Sequence, residues 1–507
     1  MKICFYDGYI RNQKQLCKQL QISPESSQEK TERKILSAAY RCWKYDMVNH
    51  LNGAFSFALY DEEKQEFFCA RDSFGIKSLY YHITSDGELL CFCDIKPIAD
   101  NPKYKKSIDM QALQYYIMFG YPIGERTLYQ GISKLPAGSF LIYQNKKCKI
   151  ERYFTPAYVP NKNISQEEWI CEIEKTIKEV LDEDRSCFDF KKGYSFLSGG
   201  VDSSYLLALS GIKNAFTIDY DVENTSEIKY AEAAACALDV GLNSVKITAK
   251  DFFEEIPSFL KNTELPVADP SAVAFSLGCK SACKKTKFCL SGEGADEFFA
   301  GYHIYRRAQE LGSADYYGCF GVMEASAACR LLGMKTPYAC DGLIKNVEKD
   351  KISDNLNKML ATDIALWLEG DILFHVNRSS TKNGLNVLLP LADKRIFELS
   401  AKIPAEFKHK DGCEKYIFRQ AANQYLPDEI SFRKKAGFPV PMKSWMREES
   451  ISKAISSVLF SKNSEQFFNT KGLKALLHNF YNGTDALYSI IYTIYIFLIW
   501  YEEVFKA

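Results

Sequence analysis

Along residues 1–154, short apolar runs alternate with polar turns. Ala54–Asp72 (AFSFALYDEEKQEFFCARD) and Ser139–Phe154 (SFLIYQNKKCKIERYF) each carry two such runs about a polar tip, the pattern of a β-hairpin. Between them, 28–49 and 109–119 space their apolar positions at helical period, so this part of the chain reads as α+β. Residues 153–164 (YFTPAYVPNKNI) turn polar and proline-bearing without periodicity, which marks a linker over 155–164 and divides the chain into 1–154 and 165–507. A helix is predicted over 165–184, starting at Ser165 before acidic residues. Strand-like runs then recur at 194–197, 215–218, 244–247 and 288–290, separated by helical stretches. An alternating β/α order predicts a parallel sheet covered on both faces. From about Tyr302 onward the pattern is mostly helical. Ala486–Tyr501 (ALYSIIYTIYIFLIWY) is strongly apolar but carries four Tyr and falls short of the ~20 residues of a membrane span, so it reads as a buried C-terminal helix.

Composition adds constraints. With 507 residues, 47% apolar and 25% charged, the chain is ordinary globular protein of two or three domains. Lys plus Arg equals Asp plus Glu at 64 each, so no global field draws it to nucleic acid or an anionic membrane. Small, locally held ligands are the expectation. Seventeen scattered cysteines, with no repeated C-x-x-C pair and no signal-like N-terminus, point to the reduced cytoplasm. Cys279, Cys283 and Cys289 lack a neighbouring His and read as small buried thiols rather than a metal site.

Two loops carry candidate chemistry. Ser198-Gly199-Gly200-Val201-Asp202-Ser203-Ser204 follows an apolar strand and opens a helix. Glycines there let backbone amides approach phosphate oxygens, the helix N-terminus favours an anion, and Asp202 can hold Mg²⁺. Without a loop Lys it is not a Walker-type loop, and it suits released pyrophosphate. Leu290-Ser291-Gly292-Glu293-Gly294-Ala295-Asp296-Glu297 repeats the strand, turn, helix order with three carboxylates, an arrangement that calls for a nearby cation or amine. Two such loops at one edge of a parallel sheet form a nucleotide crevice.

From about Ile3 to at least Trp445 the chain resembles the glutamine-dependent asparagine synthetases. The motifs that carry the resemblance are FLSGGVDSS, PVADPSA, LSGEGADEFFAGY, EKYIFRQA and RKKAGFPVP, with NGAFSFALYDEEKQEFFCARDSFGIKSLYY and FGYPIGERTLYQGISKLPAGSF in the first part. The resemblance implies a partial Ntn-glutaminase-like sandwich followed by an α/β PP-loop ATP-pyrophosphatase domain with a helical C-terminal part. It implies ATP and Mg²⁺, a carboxylate converted to an acyl-adenylate, and ammonia or an amine that displaces AMP, as in amino-acid biosynthesis. It implies a pyrophosphate and ATP site of Leu197, Ser198, Gly199, Gly200, Asp202, Ser203, Ile218, Ser291 and Gly292, with Asp202 and Asp296 on the metal. Glu293 would take the amine's proton and Lys415 would steady the phosphate and acyl charge.

The chain also departs from that pattern. The family's glutaminase nucleophile is a Cys directly after Met, whereas Lys stands at position 2 and Cys4 lies in an apolar run that reads as a core strand. The glutamine-binding segment reads Asp7-Gly8-Tyr9, the family's upstream arginine-bearing segment has no counterpart, and Lys30 replaces the Asp that grips glutamine's amine. The first domain is therefore expected to be catalytically inactive. In the second, the family's E-x-R-x-P-F-L-D appears as Asn386-Val387-Leu388-Leu389-Pro390-Leu391-Ala392-Asp393, which replaces a carboxylate-binding Arg by Leu388. Arg378 or Lys394 could take over that Arg's role, and Arg378 and Asp393 are the candidate substrate residues. Three readings follow: an ammonia-using asparagine synthetase, with or without a separate glutaminase to supply it; a ligase on a peptide or other metabolite, as in lasso-peptide cyclases and β-lactam-forming synthetases; or a silent scaffold, which the intact Asp202, Glu293, Asp296 and Lys415 oppose.

Overall fold

The computed structural model describes residues 1–222, 227–308, 316–318, 321–340, 343, 347, 351–434 and 439–506. Residues 435–438 of the RKKAGFPVP motif lie outside them. The chain's first eight strands are β1 (Lys2–Ile10), β2 (Gly53–Asp61), β3 (Glu66–Arg71), β4 (Tyr80–Ile83), β5 (Leu89–Phe92), β6 (Ser133–Lys134), β7 (Ser139–Gln144) and β8 (Lys147–Arg152). They form an antiparallel five-stranded sheet, β1-β2-β3-β7-β8, and a three-stranded one, β5-β4-β6. Alternation of side chains gives the larger sheet two apolar faces. One buries Phe55, Phe57, Leu59 and Phe68 against Ile35, Leu36 and Tyr40 of the helix Gln28–Trp43. The other packs Ala58, Cys69 and Leu141 on Leu79 and Leu135 from around the smaller sheet. Both expected hairpins form, and the second turns at Asn145 and Lys146, both with positive φ.

Cys4 departs from the expectation of a core strand. β1 is an edge strand whose register shifts between Ile3 and Phe5, so Cys4 sits on a bulge and is exposed.

Residues 155–164 form no regular element, though Val159 N donates to Ala401 O (3.1 Å) and Asn161 N to Lys402 O (2.7 Å). The helix Gln166–Cys187 begins at Ser165 with a reciprocal capping box to Glu168. Five parallel strands follow: β9 (Tyr194–Phe196), β10 (Asn214–Tyr220), β11 (Gly241–Ile247), β12 (Phe288–Leu290) and β13 (Asn386–Leu388). Their spatial order is β11-β10-β9-β12-β13. The chain thus winds outward from β9 in one direction and then returns beside β9 to wind the other way. That reversal between β9 and β12 is a topological switch point, where connecting helices leave on opposite faces and a crevice opens at the strands' carboxyl ends.

The C-terminal region is mostly helical, with β13 and a small hairpin of β14 (His409–Lys410) and β15 (Cys413–Glu414) that the apolar pattern was too short to signal. The apolar C-terminal segment forms the helix Tyr488–Trp500; Ile491, Ile494, Phe497 and Trp500 are fully buried, and Trp500 Nε1 donates to Glu264 O (2.9 Å). Among the described residues it lies in the one helix long and apolar enough to cross a membrane, and half of it is covered by the rest of the fold.

Candidate active site

Both glycine loops leave the two strands that flank the switch point. β9 runs into Leu197-Ser198-Gly199-Gly200, and Gly200 is the N-cap of the helix Val201–Ser210. Gly199 has φ +71°, and a Cβ there would lie 2.4 Å from the Tyr230 carbonyl carbon, so both conformation and space demand glycine. The loop braces itself: Ser198 N donates to Ser203 Oγ (3.2 Å), Ser203 Oγ donates to Gly200 O (3.3 Å), and Gly200 N donates to Ser198 Oγ (3.3 Å). Its first helical turn carries Asp202, and the backbone amides of that turn have no helical partners. β12 runs into Ser291-Gly292-Glu293-Gly294. A Cβ on Gly292 would meet Ser203 N at 3.1 Å, so the second loop packs directly on the first. Ser291 N donates to Leu388 O (3.0 Å), and Ser291 Oγ donates to Glu293 Oε1 (3.2 Å).

Lys415 joins the loops from below. It is 1% exposed and held at φ +54°, and its Nζ lies 2.6 Å from both oxygens of Asp202 and 2.7 Å from Asp296 Oδ1. A Cβ at Gly301 would fall 1.8 Å from Asp296 Oδ1 and 2.1 Å from Lys415 Cε; glycine there makes room for the pair. Two carboxylates converging on one ammonium are spaced to share a cation, so this donor set fits Mg²⁺, a hard ion that takes one or two carboxylates plus phosphate oxygens.

These loops border one cleft of about 340 Å³, open to solvent at its mouth. Leu197, Ser198, Asp202, Ser203, Ile218, Ser291, Gly292, Glu293 and Asp296 line it; Gly199 and Gly200 form the turn at its edge. Apolar walls come from Phe196, Phe216, Phe275, Trp367 and Ile372. Apolar walls with a few convergent polar groups are the usual make-up of a ligand site.

The two candidate substrate residues are elsewhere. Arg378 is 4% exposed and committed to Asp94 and Glu264, with its Nε on Asn262 O (3.1 Å). Asp393 is the N-cap of the helix Lys394–Ser400, and it is gripped by Arg11 and by Arg395 (2.9 Å). Both belong to ion-pair networks that tie the two halves of the chain together, and neither borders the cleft. Lys394 lies over the Phe154 ring and pairs with Glu398, also away from the cleft. Leu388 is fully buried in β13.

Sequence reasoning assigned no role to several residues the fold brings to the cleft. Arg433 pairs with Glu227, stacks 3.6 Å over Tyr230 and donates to Gly199 O (3.3 Å); its place in RKKAGFPVP was the available signal. Asp269, inside PVADPSA, and His375 also line the cleft, beside buried Asp371. Desolvation raises the carboxyl pKa of Asp269, and of Asp371 well above the ordinary range, while it lowers His375 to about 3. The i, i+4 spacing of Asp371 and His375 was visible, but on a helix that otherwise reads as core.

A family model described as asparagine synthase matches residues 187–502, and one described as a glutamine amidotransferase domain matches residues 2–154. Asparagine synthetase (glutamine-hydrolyzing) 1 of Bacillus subtilis is 28% identical over 98% of this chain and 85% of its own length. Asparagine synthetase (glutamine-hydrolyzing) 3 of the same organism is 26% identical over 92% of this chain and 82% of its own. An amidase of Penicillium rubens is 24% identical over 81% of this chain and 73% of its own.

Proposed function

From the premise that this chain belongs to the asparagine synthase family and is an ATP-dependent carbon–nitrogen ligase, we propose that it adenylates a carboxylic acid and passes the acyl group to free ammonia or an amine. The observation that carries this reading is the convergence of Lys415, Asp202 and Asp296 beside Glu293 at the switch point of the parallel sheet. In this reading the amides and hydroxyls of 198–203 hold the phosphates that leave as pyrophosphate, and the acid's carboxylate attacks the α-phosphorus. In-line displacement at phosphorus needs chiefly positioning and charge neutralisation, which the loop and the Lys415 ammonium supply. Mg²⁺ held by Asp202 and Asp296 would neutralise phosphate charge. Glu293, on the second loop of the same cleft, takes the proton that an ammonium must lose before it can attack the acyl carbon.

Residues 1–154 act as scaffold in this proposal, with no glutamine hydrolysis. Although Cys4 is exposed, partial desolvation raises its thiol pKa, as does the neighbouring Cys69, which is the opposite of an activated nucleophile. Asp7 of the Asp-Gly-Tyr segment is paired with Lys77 (3.2 Å), and Tyr9 is buried with its hydroxyl accepting from Arg11 Nη2 (2.9 Å).

Aspartate with ammonia is the leading substrate pair. A second reading, an acid other than aspartate, is favoured by the burial of Leu388 and by the commitment of Arg378 to Asp94. The deciding experiment is formation of AMP and pyrophosphate from ATP with ammonium and a panel of acids, with the product identified by mass. Release of AMP with none of the acids, including peptides, would overturn the ligase reading.

A further inference from the structure

The geometry points to a divalent transition-metal site formed by Asp269, Asp371 and His375, separate from the nucleotide's Asp202–Asp296 pair. The three ligand atoms lie within 4.8 Å of one another. Asp371 and His375 stand four residues apart, so their side chains emerge on one helix face. Asp269 comes from the facing element, as N-cap of the helix Pro270–Ala282, with Oδ1 accepting from Ser271 N (2.8 Å).

Two observations beyond proximity indicate a missing cation. Asp371 is fully buried, and neither of its oxygens has a hydrogen-bond partner; His375 Nδ1, on a 5% exposed residue, has none either. Buried polar atoms in folded proteins are nearly always satisfied, so orphans on two of three clustered ligand residues mark a ligand. The second is charge. Among the described residues no Lys or Arg forms an ion pair with Asp269 or Asp371, and the carboxylates face each other, so each penalises ionisation of the other. Tyr220, Tyr488 and Tyr492 also face Asp269, and His375 is held neutral by burial; none of them supplies positive charge. Deprotonated to ligate a metal, the two carboxylates with a neutral imidazole carry two negative charges, which a divalent cation cancels and a monovalent ammonium leaves half uncompensated.

The donor set narrows the ion. Imidazole with carboxylates suits zinc, manganese and related first-row ions, whereas magnesium takes oxygen and water. Zinc would take all three donors at about 2.0–2.2 Å. Three protein ligands leave a position open, and Asp269 and His375 line the cleft, so a water or a carboxylate from the cleft can complete the shell.

The full chain, stripped with chelator and dialysed, is to be titrated calorimetrically with ZnCl₂ and with MnCl₂ in the absence of ATP. One ion per chain that depends on Asp371 and His375 is expected, distinct from any ion taken up by the Asp202–Asp296 pair. Asp371→Asn and His375→Ala should each weaken binding at least ~10-fold, while Asp202→Asn should leave it unchanged. Circular dichroism identifies a variant that fails to fold, and His375→Gln, close in size to His, then replaces it. Visible absorption of the Co²⁺-loaded protein, lost on His375→Gln, would report the imidazole directly. The proposal is overturned by failure of both ions to bind, by binding that survives loss of His375, or by binding that disappears with Asp202. It is likewise overturned if an ammonium-bearing acid, and neither metal, binds in an Asp371-dependent way. Because these titrations use no ATP, they stand or fall independently of the ligase reading.

Discussion

Lys415 Nζ lies 2.6 Å from each carboxylate oxygen of Asp202, a residue 213 positions away in sequence in the first turn of the helix that the glycine loop opens. Lys415 takes a left-handed conformation uncommon for a residue with a Cβ, stabilised by its N–H to Ala300 O (3.2 Å). The same contact places one ammonium and two carboxylates where phosphate charge would be handled. Asp202→Ala is expected to lower acid-dependent pyrophosphate release by at least ~10²-fold, the scale of losing a charge-stabilising contact. Unchanged turnover in that variant would remove the loop from the reaction.

Glu293 follows the carboxyl end of the neighbouring strand β12 and accepts from Ser291 Oγ. Glu293→Ala should therefore depress amide formation, by roughly 10²-fold or more for a lost general base, and leave acid-dependent AMP–pyrophosphate exchange much less affected. Equal loss of both steps would assign it to ATP binding or folding.

If residues 1–154 act as scaffold, as proposed, glutamine should yield no glutamate at any pH. A free amine would then supply the nitrogen, so the rate with ammonium should rise with pH as more of it is unprotonated. Glutaminase activity of purified protein that Cys4→Ala abolishes would refute this.

The acid is the next question. Leu388 cannot supply the paired donors that hold a carboxylate, and Arg378 is occupied, so L-aspartate is expected to bind roughly ten- to a hundred-fold less well than with one charge-assisted contact restored. Steady-state kinetics with aspartate and ammonium test it: a KM below ~1 mM, ordinary for an enzyme's own substrate, contradicts an altered pocket.

Lys408 gives a pH-dependent prediction. Its Nζ is fully buried, donating to Asn357 Oδ1 (3.0 Å) over the Tyr158 ring, and desolvation lowers its pKa from 10.5 to about 7. Between pH 7 and 10.5 the unfolded chain keeps a proton that the folded chain has released, so stability rises with pH across that window and is lowest below it. Lys408→Met should lack this component, with the wild type gaining on the variant by of order 1 kcal/mol or more as pH rises. Chemical denaturation of both proteins at several pH values measures it; parallel curves would show that Lys408 titrates normally.

What the sequence alone determined is what local physics encodes. Strand, glycine turn and helix are neighbours in the chain, so both loops at 197–203 and 290–297 were legible, as were Ser165 as a helix start and the two hairpins. The family motifs added roles that spacing could not give. What only the tertiary structure decided depends on partners far apart in sequence. Arg378 reads as an available cation until the fold sets it against Asp94, 284 residues away, and Asp393 reads as a substrate contact until Arg11 reaches it across the domain boundary. Asp371 and His375 look like polar accidents on an apolar helix until Asp269 arrives from another element. A charged side chain's chemistry is set by what neutralises or desolvates it, and the strength of that effect falls with distance in space, not with distance along the chain.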